Sequence, residues 1–490
     1  MMFAPNTQLS PQKFCFRIHF LVLGAVLVGL LVLLIPMQMN ALDYGEGMIR
    51  ILSMVFVVTS LWCLWSWYRL SGSLFDPYSL FFLAAVAFNG GQLFLEVLGI
   101  NDGGLLNGRF APDVLVSTIH LVLTCIVAMH LGALSGAKAD KRLNYQEEGG
   151  LRNLIASAAA TRWVGWGLLA VSTLPTIIYL RQSLATVIAK GYAAIYFQGI
   201  PVGLDAVWRV LSIFFVPGAL FLLAGSRGIV VNTVLAAAGL VGYSIACFAI
   251  GDRGGGGYAF VGLVWLWHKS IRALPTWKVV VVLLAIAVLL PVVGSMRSLG
   301  GDQRLSLTTF VETLFSLDNP IVALVKELGT TMRTVAYTIM FVPGERNFDY
   351  GLGYLRATMT LVPSLYWVTT ETYSSWLVWT VAPRFASLGG GLGFSFIAEA
   401  YANFGWIGSV VFTFLLGYAL SRLARWVDLS EDPARRALAA SFIAFTIQYA
   451  RGESAGEIGR LFWAVLVPYL VAKHIASLRQ RMRDERSLCN

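Results

Sequence analysis

Residues 16–36 of the chain are FRIHFLVLGAVLVGLLVLLIP, an almost uninterrupted apolar run. A helix of about 20 such residues is long enough to cross the hydrocarbon core of a membrane. Lys13 and Arg17 open this region as they would open a signal sequence, but no small-residue cleavage site follows and further apolar runs come later. The stretch therefore predicts a retained transmembrane helix.

The composition of the whole chain agrees with a membrane protein. Hydrophobic residues make up 57% of the 490 residues, charged residues make up 13%, and the mean hydropathy is +0.71. Soluble domains carry about a quarter charged residues, so a soluble globular protein is excluded. The net charge of +10 is divided between predicted loops on both sides of the membrane, so nucleic acid is not an expected partner. The cysteine spacing suggests neither a disulfide framework nor a metal site.

Apolar runs continue along the chain and predict an all-α, polytopic integral membrane protein of about 12 transmembrane helices. Lysines and arginines mark alternate connections between the runs, which by the positive-inside rule places both termini in the cytoplasm. The runs are 16–36, 48–68, 77–98, 113–136, 162–181, 205–224, 228–250, 255–268, 278–296, 394–421, 437–450 and 461–473.

This pattern divides the chain into three parts. Residues 1–296 are predicted to hold transmembrane helices 1–9, and residues 394–490 to hold helices 10–12 and a cytoplasmic tail. The intervening loop, 297–393, would face the outside. Its stretches 308–341 and 354–380 have loose helical spacing around a turn-rich segment. Because an unstructured loop of this length is unusual, we expect short helices that form a lid over a site.

Arginines are in excess on the predicted outer side, where the positive-inside rule disfavours them. A guanidinium stays charged and presents paired donors that match phosphate oxygens, so the excess predicts a bound lipid pyrophosphate without a metal ion or other cofactor. Any single arginine is also compatible with a surface charge, an ion pair or a headgroup anchor. The candidate ligands are Arg253, Arg297, Arg304, Arg333, Arg384 and Arg451, and Arg346, Arg356 and Arg460 lie in the same outer segments.

The segment 250–257, IGDRGGGG, ends one predicted helix and begins the next. Its glycines would let the backbone approach a ligand, and Asp252 would orient Arg253 toward phosphate oxygens at a helix start. The alternative is a flexible interhelical turn. A nucleotide P-loop is excluded because no Gly-Lys-Ser/Thr follows.

The tenth predicted helix begins with FSFIAEAYANFGWIG, residues 394–408. Glu399 would lie about 8 Å inside its outer end, where an unpaired carboxylate is costly. Asn403 is one turn further along the same face. Glu399 is therefore a candidate general base or arginine-orienting carboxylate, with a helix-packing hydrogen bond as the alternative.

The last predicted outer connection is RGESAGEIGR, residues 451–460. If it is helical, Glu453, Glu457 and Arg460 share one face and form either an acid–base pair or a solvated surface. The loop 297–393 has no histidine, so a base on this side is expected to be a carboxylate. Glu399 is the first candidate and Glu453 the second.

Four features together resemble the Wzy-type O-antigen and oligosaccharide repeat-unit polymerases. They are the Gly251-Asp-Arg-Gly254 turn, the loop 297–393, the Glu-Ala-Tyr-Ala-Asn-Phe-Gly start of the tenth helix and the Arg451-Gly-Glu453 turn. The likeness covers the architecture of nearly the whole chain. The paired arginine-spaced loop motifs of some such polymerases have no clean counterpart, because Arg181 followed by Gly191 matches them only loosely.

The resemblance implies a metal-independent glycosyltransferase of lipopolysaccharide or related polysaccharide biosynthesis, at the periplasmic face of the bacterial inner membrane. Its donor would be a growing glycan on undecaprenyl pyrophosphate, and its acceptor a single oligosaccharide repeat unit on the same carrier. Arginines would stabilise the leaving pyrophosphate. Membrane lipids and a chain-length regulator are further candidate partners.

Two alternative functions remain open at this point. An O-antigen ligase shares the chemistry but is expected to carry a histidine in the large outer loop, which this loop does not have. A lipid-linked oligosaccharide flippase would also use arginines for pyrophosphate, but its sequence is expected to show two similar halves.

Overall fold

The computed structural model describes most of the chain, and every regular element in that part is a helix. The predicted all-α class is therefore confirmed for the residues that are described. Helices suit a membrane because each satisfies its backbone hydrogen bonds internally. The described residues are 11–38, 45–138, 150–192, 194–197, 203–296, 307–316, 319–362 and 371–488.

The part of the chain before the predicted large loop forms eleven described helices. A 3₁₀ segment, Leu105–Gly108, precedes the fourth helix, and a π-helical segment, Trp267–Ile271, follows the tenth. The helices are α1 Pro11–Gln38, α2 Glu46–Ser71, α3 Pro77–Val97, α4 Pro112–Lys138, α5 Gly150–Lys190, α6 Ala194–Phe197, α7 Leu204–Ser212, α8 Phe215–Gly225, α9 Val230–Ile250, α10 Arg253–Leu266 and α11 Thr276–Met296.

In the rest of the chain, short helices are followed by a long helical hairpin. A 3₁₀ segment, Gly329–Thr331, and a π-helical segment, Leu461–Leu466, connect neighbouring helices in this part. The helices are α12 Leu307–Ser316, α13 Pro320–Leu328, α14 Met332–Phe341, α15 Leu352–Met359, α16 Tyr373–Val381, α17 Pro383–Ser387, α18 Phe396–Asp428, α19 Pro433–Tyr449, α20 Ser454–Arg460 and α21 Val467–Leu488.

Among the described residues, nine helical segments are long and apolar enough to cross a membrane. The predicted runs 255–268, 278–296 and 437–450 form α10, α11 and α19 and are not among the nine; α10 and α19 have only 14 and 17 residues. Nine of the predicted crossings are therefore supported, and the total of about twelve stays a prediction. The nine are Ile18–Met37, Glu46–Ser71, Pro77–Val97, Pro112–Ala137, Asn153–Lys190, Leu204–Gly225, Val230–Ile250, Phe396–Asp428 and Ser454–Met482.

The core centres on α4, which packs closely along α18. A Cβ atom added to Gly132 of α4 would lie 1.9 Å from the carbonyl oxygen of Phe414, and one added to Gly417 of α18 would lie 1.8 Å from that of Met129. Only glycine permits this approach, and such close packing drives helix association in membranes. The contact fixes the position of α18, which carries Glu399.

The short helices of the predicted loop cover one end of this bundle. Helix α13 packs on α3, α14 packs on α4 and α18, and α15 packs on α20. The predicted turn 342–351 separates α14 from α15, as expected. The short helices therefore bring distant parts of the chain together next to the start of α18.

Candidate active site

Helix α18 is interrupted at Gly405, whose φ of 66° and ψ of −160° are not helical. This region of φ strongly favours glycine. Just before the break, the carbonyl oxygen of Ala402 accepts the N–H of Asp349 at 3.0 Å. The carbonyl oxygen of Asn403 accepts the N–H of Tyr350 at 2.8 Å. The break in α18 thus provides the acceptors that fix the turn before α15 against it.

Glu399 lies near the start of α18 and is only 1% exposed. Its Oε2 accepts the N–H and the hydroxyl of Ser454, both at 2.9 Å, and the hydroxyl of Tyr449 at 3.3 Å. Within the described part of the chain, its Oε1 accepts only the same Ser454 N–H, at 3.1 Å. Because a carboxylate oxygen can accept two hydrogen bonds, Oε1 keeps the capacity to accept another. Asn403 donates to the backbone oxygen of Glu399 at 2.9 Å, not to the carboxylate.

Glu453 caps the N-terminus of α16, a helix distant from it in sequence. Its Oε2 accepts the N–H of Tyr373 at 2.7 Å, and its Oε1 accepts the N–H of Ser374 at 3.2 Å and the hydroxyl of Ser374 at 2.6 Å. The unpaired N–H groups of a helix start favour a carboxylate there. Burial raises the pKa of Glu453, while the hydrogen bonds from Ser374 and Tyr373 lower it. Glu453 therefore connects the short helices to the segment between α19 and α20.

Both carboxylates line one cavity under the short helices. The walls come from the turn before α15, from α15, from the start of α16, and from the starts of α18 and α20. Three carboxylates and two guanidinium groups meet there, which suits a polar, hydroxyl-rich or anionic ligand. The lining residues are Arg346, Gly353, Arg356, Glu371, Thr372, Tyr373, Glu399, Glu453 and Ala455.

Arg346 is held in the cavity wall by several contacts. It donates to Asp349 Oδ2 at 3.0 Å, and its guanidinium lies 5.2 Å from the ring centre of Tyr373 and 4.8 Å from that of Trp376. The hydroxyl of Tyr373 donates to the same Asp349 oxygen at 2.6 Å. Glu371 is a looser partner, at 3.9 Å. Cation–π contacts and a charge-assisted hydrogen bond together restrict the guanidinium.

Arg356 lies on the exposed side of α15 and lines the same cavity. The structure gives it no ion pair with any residue that is described. Its charge is therefore open to a ligand. The sequence placed Arg346 and Arg356 in the outer arginine set but did not select either as a ligand.

Arg253 lies away from this cavity and has a carboxylate partner. Its Nη1 donates to Glu327 at 2.7 Å and to the carbonyl oxygen of Leu290 at 3.0 Å, and its Nη2 also contacts Glu327. Asp252 instead accepts the N–H of Gly255 at 3.0 Å and caps α10. The carboxylate that contacts the Arg253 guanidinium is thus Glu327 of α13, and the orienting role of Asp252 stays a prediction.

Arg333 belongs to a second group of arginines, together with Arg109 and Arg451. Burial lowers the pKa of Arg333; the effect of Tyr337 opposes this, and repulsion by Arg109 and Arg451 adds to it. The Nε of Arg333 is buried and has no hydrogen-bond partner among the described residues. The guanidinium of Arg451 lies 5.4 Å from the ring centre of Phe88. Arg109 and Arg451 both repel Arg333, and an anion would relieve that repulsion.

The structure places none of the remaining predicted arginine ligands in the cavity or in the group around Arg333. Arg384 is exposed on α17 and does not line the cavity. Arg297 and Arg304 lie outside the described residues. Glu457 forms an ion pair with Arg460 at 3.4 Å, whereas Glu453 accepts the N–H of Tyr373. The two glutamates, predicted to share one helix face, thus have different partners.

The sequence did not identify Asp349, Glu371, Tyr373 or Arg109 as site residues. The spacing of Arg346 and Asp349 within one turn was a usable signal for an ion pair. The sequence holds no signal for the contact of that turn with α18, because this contact depends on tertiary packing. In the part of the chain that is described, no group of three or more His, Cys, Asp or Glu side chains is placed to hold a metal ion. Metal independence stays a prediction.

Comparison with known proteins identifies the family. Searches of curated proteins and of solved structures gave no significant match. The family model described as O-antigen polysaccharide polymerase Wzy matches residues 16–479, nearly the whole chain. The matched region contains the cavity, both carboxylates and both groups of arginines. The chain therefore belongs to the O-antigen polysaccharide polymerase Wzy family, as the resemblance of its motifs predicted.

Proposed function

We propose that the chain joins undecaprenyl-pyrophosphate-linked oligosaccharide repeat units into O-antigen or a related surface polysaccharide, and that the reaction occurs in the cavity lined by Glu399 and Glu453. The observation that supports this most directly is the meeting of two buried carboxylates and two arginines in one cavity of a Wzy-family membrane protein. A hydroxyl of the acceptor attacks the anomeric carbon of the donor, its proton passes to a base, and lipid pyrophosphate leaves.

Glu399 is the proposed base. Its Oε1 accepts one hydrogen bond from the residues that the structure describes and lies on a carboxylate that lines the cavity, so it can take the proton of the acceptor's hydroxyl. Its Oε2 is held by three donors, which fix the direction of the carboxylate. Glu453 supports the reaction in a different way, because it holds the start of α16, which contributes Tyr373 to the cavity wall.

The pyrophosphate is proposed to bind at Arg333 and Arg451, with Arg109 as a third ligand that the sequence did not suggest. The buried Nε of Arg333, which has no hydrogen-bond partner among the described residues, and the repulsion of Arg333 by Arg109 and Arg451 support an anion there. Arg356 supplies a further cation in the cavity itself. As the donor bond breaks, such fixed charges stabilise the developing pyrophosphate.

The proposed location is the periplasmic face of the bacterial inner membrane. It follows from the predicted topology, in which both termini are cytoplasmic and 297–393 is outside. A single cysteine introduced at the exposed Asn347 tests it, because the described native cysteines are buried. Labelling of Asn347→Cys by an impermeant maleimide from the outside, above the background of the parent protein, is expected. Labelling only from the cytoplasmic side contradicts the location.

The reaction itself is tested by incubating detergent-purified protein with purified lipid-linked repeat units. A ladder of longer glycans is expected, with equal rates in excess EDTA and in added Mg²⁺, because arginines take the electrostatic role of a metal. Activity that disappears in chelator and returns with Mg²⁺ or Mn²⁺ overturns metal independence. Transfer of glycan to another acceptor without chain growth indicates a ligase.

A further inference from the structure

Glu371 differs from the other two carboxylates of the cavity. The oxygens of Glu399 and Glu453 are held by close donors, whereas among the described residues Glu371 forms an ion pair only with Arg346, at 3.9 Å. The side chain of Glu371 is 62% exposed, and yet it lines the cavity. Its oxygens can therefore accept hydrogen bonds from a ligand.

Arg346, beside it, is already neutralised and held in place. It contacts Asp349 at 3.0 Å and lies over two aromatic rings. Glu371 is therefore not needed to balance the charge of Arg346. A loose, exposed ion pair also contributes little to stability, so this contact alone gives no structural reason for a carboxylate at position 371.

We propose that Glu371 and Arg346 bind hydroxyl groups of the acceptor sugar ring that carries the attacking hydroxyl, and that they select that ring. The inference rests on the proposed function, because Glu399 can act as the base only if this ring enters the same cavity. Glu371 and Arg346 are thus positioning and specificity residues, not groups that take part in bond making.

The chemistry of the pair fits a sugar. Neighbouring ring hydroxyls each donate and accept hydrogen bonds, and the pair offers an acceptor and a donor side by side. Arg346 is preorganised, which lowers the entropic cost of binding, and hydrogen bonds to charged groups are the stronger kind. An analogue that lacks one of these hydroxyls would lose a hydrogen bond to a charged group and bind more weakly.

The test compares Glu371→Gln with Glu345→Gln, a matched change at an exposed glutamate in the turn before α15 that does not line the cavity. Initial polymerisation rates are measured against the concentration of purified lipid-linked repeat unit. Glu371→Gln is expected to raise KM by about tenfold to a hundredfold, because a hydrogen bond to a charged group is lost, with kcat little changed. Glu345→Gln is expected to match the wild type, and both variants should keep its melting temperature.

A second measurement tests binding of the sugar alone, without the lipid pyrophosphate. The oligosaccharide is released from its lipid by mild acid, and its binding to the purified protein is followed by saturation-transfer NMR. Contact is expected with the wild type and Glu345→Gln and should be lost in Glu371→Gln. Unchanged KM and equal NMR contact in all three proteins overturn the inference and leave the polymerase intact. Absence of chain growth in the wild type overturns the proposed function, and the inference with it.

Discussion

Helices α18 and α19 carry buried carboxylates at both ends of their hairpin, and the two ends are built differently. Between the helices, Asp432 Oδ2 lies 3.0 Å from Lys473 Nζ and 3.9 Å from Arg435 Nε, and Oδ1 accepts the Ala434 N–H at 3.0 Å and the hydroxyl of Ser157. At the other end, the described residues that donate hydrogen bonds to the Glu399 carboxylate are all neutral.

This difference distinguishes a carboxylate that stabilises the fold from one that can serve a reaction. A buried carboxylate paired with a cation is complete without a ligand, and its loss destabilises the protein. A buried carboxylate without a cation carries an unfavourable desolvation energy, which is tolerated where the group serves a reaction. The cavity at the Glu399 end also contains Arg346 and Arg356, whereas the contacts of Asp432 are with the protein itself. The comparison therefore supports the proposal that the reaction occurs at the Glu399 end.

The largest expected effect is that of Glu399→Gln. Glutamine keeps the shape of the side chain but is not basic enough to take a hydroxyl proton, so turnover should fall about 100- to 10,000-fold. Chain growth and substrate binding are measured on the same purified protein, and binding should be largely kept. Near wild-type turnover would move the base to Glu453. Equal loss of binding and turnover would show that Glu399 mainly holds the Ser454 turn.

The next effect concerns the arginines. Arg333→Lys keeps a positive charge but cannot reproduce the paired donors of a guanidinium, so kcat/KM should fall about tenfold to a hundredfold. Arg227→Lys, near Arg436 at the Asp432 end, is the matched control and should leave kcat/KM unchanged. The pairing of Arg253 with Glu327 predicts a smaller loss for Arg253→Lys, which acts through the position of α13. If Arg253→Lys is the more damaging variant, the anion site has been placed wrongly.

Asp432→Asn should affect stability without affecting turnover. The change removes a buried charge whose partner Lys473 is 43% exposed, so solvent screening limits the loss to about 1–3 kcal/mol. The melting temperature in detergent should fall, while the rate per folded molecule stays at the wild-type value. A large loss of turnover in the folded fraction would contradict the division between the two ends.

The smallest effect is a pH dependence from Glu453. Its pKa is raised above the ordinary value of 4.5 by burial, so the folded state holds this proton more tightly than the unfolded state does. The resulting stabilisation is complete below the unfolded pKa and is lost as pH rises through the folded pKa. It amounts to about 1.4 kcal/mol for each unit by which the pKa is raised.

Melting temperatures of wild type and Glu453→Gln, measured across that window, test this. The wild type should lose stability relative to the variant as pH rises, and Glu345→Gln should follow the wild type. Parallel curves for wild type and Glu453→Gln would mean that the hydrogen bonds from Tyr373 and Ser374 outweigh burial.

The sequence alone was enough for the class of fold and for the family. Apolar runs of membrane length are local features, and so is the glycine that interrupts α18 at Gly405. It also suggested Glu399, because a carboxylate inside an apolar segment is costly, and Glu453, because the predicted outer loop has no histidine to act as a base. Their meeting in one cavity did not follow from their positions, since Glu453 reaches that cavity through its contact with α16.

Only the tertiary structure decided which charges are already paired. Arg253 and Arg356 look alike in the sequence, but Arg253 contacts Glu327 on α13 and Arg356 lines the cavity. Glu371 and Arg109 were not selected because nothing in their neighbouring residues marks them. Whether a charged side chain has an ion-pair partner depends on groups from distant parts of the chain. The reason is that electrostatic interactions depend on distance in space, not in sequence.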